Sequence, residues 1–275
     1  MKHHYLYTRI ATYNGYGGPV TADYKDAAHP ATPTRAGRFT IASIQPHTTL
    51  QTGKNARMWS AVAWGTPLRL GPGQVIEIQL PGKKWQRLTS LPAWQHLDAN
   101  QSRVLDDIKT RQLLLWAPVL KAYAKAPQNA PIRFYHEIPD KWIFNDFGHT
   151  TVKYYRDVNR NHRQDNTEAE RTLSDFIHTV PNQELLYWLN QQANAGLSMP
   201  LNESHGCVHA LPAEVDEMVQ SGFLSVGGTF VVHAYTESSK GSFQEASTDQ
   251  RTNTREVHFF PKEKQLIVYM VTKLS

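Results

Sequence analysis

The chain has 275 residues, 40 % of them hydrophobic and 19 % charged, with a formal net charge of +5; this balance fits a folded chain with a core and excludes a disordered tail. Glycine and proline, 16 of each, are too few for collagen-like or low-complexity sequence, and no apolar run approaches the roughly 20 residues of a membrane span. Lysine and arginine form no dense run, so the positive balance reads as an ordinary solvated surface rather than a nucleic-acid footprint.

The opening Met1–Tyr7 lacks the apolar stretch of a signal peptide, so the expectation is a mature form with its leader removed, a chain that stays in the cytosol, or export by a route that needs no leader. Period-two and β-rich runs then predict strands over His4–Tyr13, Arg38–Gln45, Met58–Trp64, Gln74–Leu80, Ile132–Ile138, Thr150–Arg156, Thr229–Thr236, Glu256–Phe260 and Gln265–Thr272. Three helices are predicted among them. Ser102–Ala126 carries Val104, Ile108, Leu113, Leu115, Leu120 and Tyr123, with Pro118 expected to kink or split it. Asn182–Asn194 is amide-rich, and Pro212–Gln220 opens on proline and stops before Gly222. Composition nowhere steps sharply. The expectation is one mainly β (α+β) domain over 1–275, with a helical insertion over 83–129, a mobile polar loop over 238–254 and a C-terminal hairpin over 255–275.

The chemistry concentrates in Asn202-Glu203-Ser204-His205-Gly206-Cys207-Val208-His209. Imidazoles two residues to either side of the only cysteine favour its thiolate near neutral pH. Gly206, without a Cβ, lets backbone N–H groups approach a reacting carbonyl as an oxyanion hole requires. The helix that opens at Pro212 brings a positive end after the thiol. Two other readings stand beside this one. Cys207 is a small inert hydrophobe in the first; in the second, His205, Cys207 and His209 ligate zinc or copper with His149 or His178.

Ser204-His205-Gly206-Cys207 followed by an aliphatic residue resembles the signature of the L,D-transpeptidase (YkuD-type) catalytic domain. Downstream, Met218–Val232 is similar to that family's helix and Val-Gly-Thr strand; upstream, Thr32-Pro33-Thr34-Arg35-Ala36-Gly37-Arg38-Phe39-Thr40-Ile41 is similar to its Thr-Pro-x-Gly-x-Phe segment. Phe176-Ile177-His178-Thr179 resembles the site of the family's base, with Thr179 where glycine is usual and Ser204 lying 26 positions after His178.

The resemblance implies a β-sandwich or barrel with helical insertions, and a cysteine enzyme of the bacterial periplasm or cell wall. Its substrates would be peptidoglycan stem peptides, its chemistry would need no cofactor, and Cys207 and His178 would be nucleophile and base. Gly206 and Cys207 N–H groups would hold the oxyanion, and Thr179 would help fix the tautomer of His178. Ser204 and His205 would shape the turn, while His209 and the rival base His149 would serve substrate binding. Transpeptidase and L,D-carboxypeptidase differ only in whether an amine or water resolves the thioester. An effector toxin with an immunity partner, a non-catalytic wall-binding module and a metal-dependent hydrolase are the remaining expectations.

One further motif is independent of that resemblance. Asp157, Asn159, Asn161, Asp165 and Glu168 fall at positions 1, 3, 5, 9 and 12 of a twelve-residue stretch, the spacing of a calcium loop, with His162 where the sharp turn favours glycine. The expectation here is a structural Ca2+; the alternative is a polar turn between strands.

Overall fold

A computed structural model describes residues 2–26, 30–49, 58–124, 138–193, 196–247 and 254–274. Of the strand expected over Ile132–Ile138, all but the last residue lies outside these. The chain forms two compact units, residues 1–44, 151–178 and 201–275 in the first and residues 45–150 and 179–200 in the second.

The elements, in chain order, begin with β1 (His3–Tyr16), β2 (Gly37–Gln45), β3 (Leu68–Leu70), β4 (Ile76–Ile78), β5 (Gln86–Arg87) and α1 (Gln101–Tyr123). There follow β6 (Thr151–Tyr155), β7 (Thr172–His178), α2 (Pro181–Ala193), β8 (Val208–Ala210), α3 (Pro212–Gln220), β9 (Thr229–Val232), β10 (Phe243–Ser247), β11 (Thr254–Phe260) and β12 (Gln265–Lys273). The class is mixed and β-dominated.

The first unit is built on one sheet in the order β10-β1-β12-β11-β9-β2-β6-β7-β8. Alternation in β1 buries Tyr5, Tyr7 and Tyr13 and leaves Thr8, Ile10 and Thr12 exposed. One edge of β1 pairs antiparallel with β12 from Tyr5 to Asn14, past a bulge between Arg9 and Ala11. Its other edge takes β10 over His3–Tyr7 and β8 at Gly15 and Tyr16. Because β8 also pairs with β7, the sheet closes on itself as a barrel, which removes most of its open edges. β11 and β12 pair antiparallel about the turn at 261–264. Where a polar loop is expected over 238–254, β10 adds to β1 instead, with Phe243 stacked on Tyr7 at 4.5 Å between ring centroids. A single aromatic anchor and backbone pairing suffice there, and composition does not announce either.

The second unit packs α1 and α2 with a small β3-β4-β5 sheet around Trp94, Trp142 and Phe144, all fully buried, and half-buried Trp59. The strand expected over Met58–Trp64 is a 3-10 turn at Met58–Ala61. The reason is local: the carbonyls of Met58 and Trp59 accept the indole N–H groups of Trp94 and Trp142, each at 2.9 Å, rather than a neighbouring strand. Pro118 lies inside α1 without ending it. The carbonyl it leaves unpaired belongs to Leu114, which is 62 % exposed, so water can take the bond.

Candidate active site

β7 and β8 run parallel, with Ile177 opposite Val208 and His178 opposite His209. Alternation sends Ile177 and Val208, both fully buried, to one face, and His178 and His209 together to the other. Their rings meet edge to face with centroids 4.7 Å apart, and Phe176 packs against His178 at 5.4 Å. Cys207 immediately precedes β8. It is partly exposed, and its thiol makes a long contact of 4.0 Å to the carbonyl of Ser174 on β7. His178 is buried, only 5 % exposed. Nδ1 of His209 donates to the carbonyl of Asn202 at 2.8 Å, which fixes its tautomer. Burial holds His209 below the ordinary imidazole value, against that bond and with His205 as a smaller cause, so near neutrality the ring is uncharged.

The turn that presents the cysteine is bonded throughout. Ser204 Oγ donates to the Cys207 carbonyl and accepts the Gly206 N–H at 3.0 Å, while its own N–H donates to the Gly17 carbonyl at 3.0 Å. Ser204 therefore shapes the turn. Of the two N–H groups expected to hold an oxyanion, that of Gly206 is already engaged. Gly206 has a φ of +133°, in the region that favours glycine, and a Cβ there would lie 3.1 Å from Thr32 Oγ1. Thr32 donates its N–H and its hydroxyl to the His205 carbonyl at 3.4 and 3.3 Å. Thr34 donates its hydroxyl to the Cys207 carbonyl at 3.3 Å. Two segments about 170 residues apart in sequence, the Thr-Pro-Thr string and the cysteine turn, thus become one bonded surface.

Tyr154, fully buried on β6, carries a hydroxyl without a protein partner. Burial, with Asp175 and Cys207 as smaller causes, holds it well above the ordinary phenol value. Lys153, whose side chain lies over the ring of Phe176 at 5.9 Å, is held below the ordinary lysine value by burial.

Thr179 and His149 belong to the second unit, where both meet Glu184. Nδ1 of His149 bonds Glu184 Oε1 at 2.6 Å and its N–H bonds the same oxygen at 2.9 Å. The hydroxyl of Thr179 donates to that oxygen as well. A buried carboxylate thus orients His149, as carboxylates orient catalytic or ligating imidazoles elsewhere.

The side chains of the twelve-residue loop bond largely to the loop itself. The two carboxylate oxygens of Asp157 accept the N–H groups of Arg160 and His162 at 2.6 and 2.8 Å. Asn159 donates its amide to Asp165, Asn161 Oδ1 accepts the Arg163 N–H at 2.7 Å, and Glu168 pairs outward with Arg171. Buried Glu170, which the spacing passes over, accepts the N–H groups of Val158 and Asp165 and ties the loop together. These bonds are those of a self-bonded polar turn. Among the described residues no three or more His, Cys, Asp or Glu side chains are grouped to hold a metal, His205, Cys207 and His209 included.

The chain matches no protein-family model, no curated protein and no solved structure. Sequence reasoning passes over Glu184, Glu170, Asp175, Lys153 and Tyr235. Glu184 carries one legible signal, an acidic residue in the first turn of a proline-headed helix; its use by His149 does not follow from that. No helix among the described residues is long and apolar enough to cross a membrane.

Proposed function

We propose that the chain is a cysteine acyltransferase acting on peptidoglycan stem peptides in the periplasm or cell wall, an L,D-transpeptidase in the terms of its sequence resemblance. The observation that carries this reading is the meeting, on one surface, of three separate strings of the resemblance. They are the cysteine turn, the histidine at the end of β7, and the Thr32–Thr34 segment bonded to the turn.

In this reading His178 takes the proton of the Cys207 thiol, and the thiolate attacks the carbonyl carbon of the third residue of a tetrapeptide stem. The tetrahedral oxyanion meets the N–H of Cys207. The intermediate collapses as the C–N bond to the terminal D-alanine breaks, and its nitrogen leaves with the proton from the His178 imidazolium. A side-chain amine of a second stem then attacks the thioester, giving a cross-link and the free thiol; water in its place gives a tripeptide. Neutral His209, edge-on to His178, screens one side of the base without competing for its charge.

The test is mass spectrometry of tetrapeptide muropeptides incubated with wild type and with Cys207→Ala. Cross-linked dimers lacking one D-alanine, formed by wild type alone, are the expected result. Tripeptides alone would assign a carboxypeptidase with the same nucleophile. Identical profiles from both proteins would overturn the reading.

A further inference from the structure

A line of charged and titratable side chains in the first unit takes no part in the chemistry above. Arg38 on β2 forms an ion pair with fully buried Glu256 on β11. The other Glu256 oxygen meets His258 Nε2 at 3.1 Å, His258 Nδ1 meets His233 Nε2 at 2.9 Å, and His233 Nδ1 meets Glu237 Oε2 at 2.6 Å. His258 is only 3 % exposed. Besides Glu256 and His233, it faces the ring of Tyr7 on β1 and that of Tyr269 on β12 at 5.8 and 4.9 Å. Arg9 lies near Tyr269, and Glu245 on β10 lies near Arg38.

Glu256, between Arg38 and His258, is ionised and only accepts, so His258 donates to it from Nε2. His233 Nε2 and His258 Nδ1 face each other at 2.9 Å, and His233 Nδ1 faces Glu237. The pair shares one N–H between two nitrogens. A second proton between them would set two N–H groups against each other and break the bond.

The turn this line holds has a second attachment. His233 and Glu237 bracket Tyr235, whose hydroxyl donates to the Gly18 carbonyl at 2.6 Å and accepts the Thr34 N–H at 3.2 Å. Gly18 in turn donates its N–H to Thr34 Oγ1 at 2.9 Å, the same oxygen that bonds the Cys207 carbonyl.

We propose that the His233–His258 pair is a proton-operated latch on the turn that carries Tyr235, and that Tyr235 is a positioning residue for Cys207. With the latch closed, Tyr235 clamps both segments that brace the cysteine turn. Acid opens the latch, the turn loosens, and the thiol loses its placement beside His178. The proposal rests on Cys207 as the nucleophile.

The test needs no wall substrate. Alkylation of Cys207 by iodoacetamide is followed across about pH 5 to 9 in the full chain, with melting by circular dichroism as the check on folding. In wild type the rate is expected to fall on the acid side more steeply than one ionisation allows. Tyr235→Phe is expected to move the midpoint up by about one pH unit, hence about tenfold slower labelling below it. His258→Gln, which cannot take the second proton, is expected to keep the neutral rate and lose the extra acid steepness. Should His258→Gln not fold, Glu237→Gln at the exposed end of the line is expected to label between wild type and Tyr235→Phe at neutral pH. A folded Tyr235→Phe with the wild-type profile would overturn the proposal, as would an unchanged acid limb in folded His258→Gln or a wild-type profile in Glu237→Gln. A wild-type midpoint near the free-thiol value of about 8.5 would instead overturn the nucleophile itself.

Discussion

Two histidines compete for the role of base, and their surroundings differ in kind. His178 ends a strand, buried beside the strand that follows the cysteine, and meets the neutral ring of His209. His149 is the better oriented of the two, held through Nδ1 by Glu184 in the second unit. Orientation alone does not make a base, since the group must reach the proton it removes. His178→Gln is expected to lower turnover of tetrapeptide stems by about 10²–10⁴-fold, the usual worth of a general base, with folding intact. His149→Gln is expected to stay within about tenfold of wild type. Chromatography of muropeptides under single-turnover conditions separates the two, and the reverse order would move the base to His149. The string from Ser204 to His209 is readable in sequence because cysteine, imidazoles and glycine lie side by side. The bonds that brace it are not, because Tyr235 and Thr34 are about 200 positions apart and neither carries a local signal of the other.

Elements are legible where their own periodicity governs them, and less so where side chains settle the backbone. The eight-residue interval from His4 to Ala11 alternates as a strand should, and Pro212, Glu214 and Gly222 mark both ends of α3. Over Met58–Ala61 the outcome turns on Trp94 and Trp142, whose indoles claim the carbonyls. In α1 the same logic runs the other way. Pro118 marks a break, yet Trp116 and Val119 on either side of it are buried, and packing overrides the missing bond. Pro118→Ala restores the donor and removes the ring, and is expected to stabilise the protein by about 1–3 kcal/mol. Urea denaturation followed by far-ultraviolet circular dichroism checks this; a lowered midpoint would mean that the proline ring itself packs favourably.

At the scale of the whole molecule, sequence composition suggests one domain with a helical insertion, whereas the chain forms two compact units each assembled from separated segments. Discontinuity of this kind leaves composition unchanged at the crossings, so nothing in the residues marks positions 45, 151, 179 or 201 as boundaries. Two groups of the first unit make its stability depend on pH. Burial disfavours the ionised form of Glu256, but His258 and Arg38 outweigh it and hold the carboxyl down to about 2 from an ordinary 4.5. A carboxyl lowered on folding contributes stability that is fully present above 4.5 and is lost as pH falls toward about 2. His258 is held below its ordinary 6.5, chiefly by burial, so it too contributes stability above 6.5 that is lost as pH falls through its folded value. The melting temperature is therefore expected to decline below about pH 6.5 and more steeply below about pH 4.5. In Glu256→Gln the steeper part should be weakened, and an unaltered acid profile in that variant would contradict the assignment.

The aromatic core of the second unit has a practical side. Every tryptophan of the chain, at 59, 64, 85, 94, 116, 142 and 188, falls within that unit, and the one cysteine falls within the other. Indole emission therefore reports the state of one half of the protein, and a thiol-reactive dye reports the other, with no substitution introduced. A single titration read in both channels would tell which half yields first.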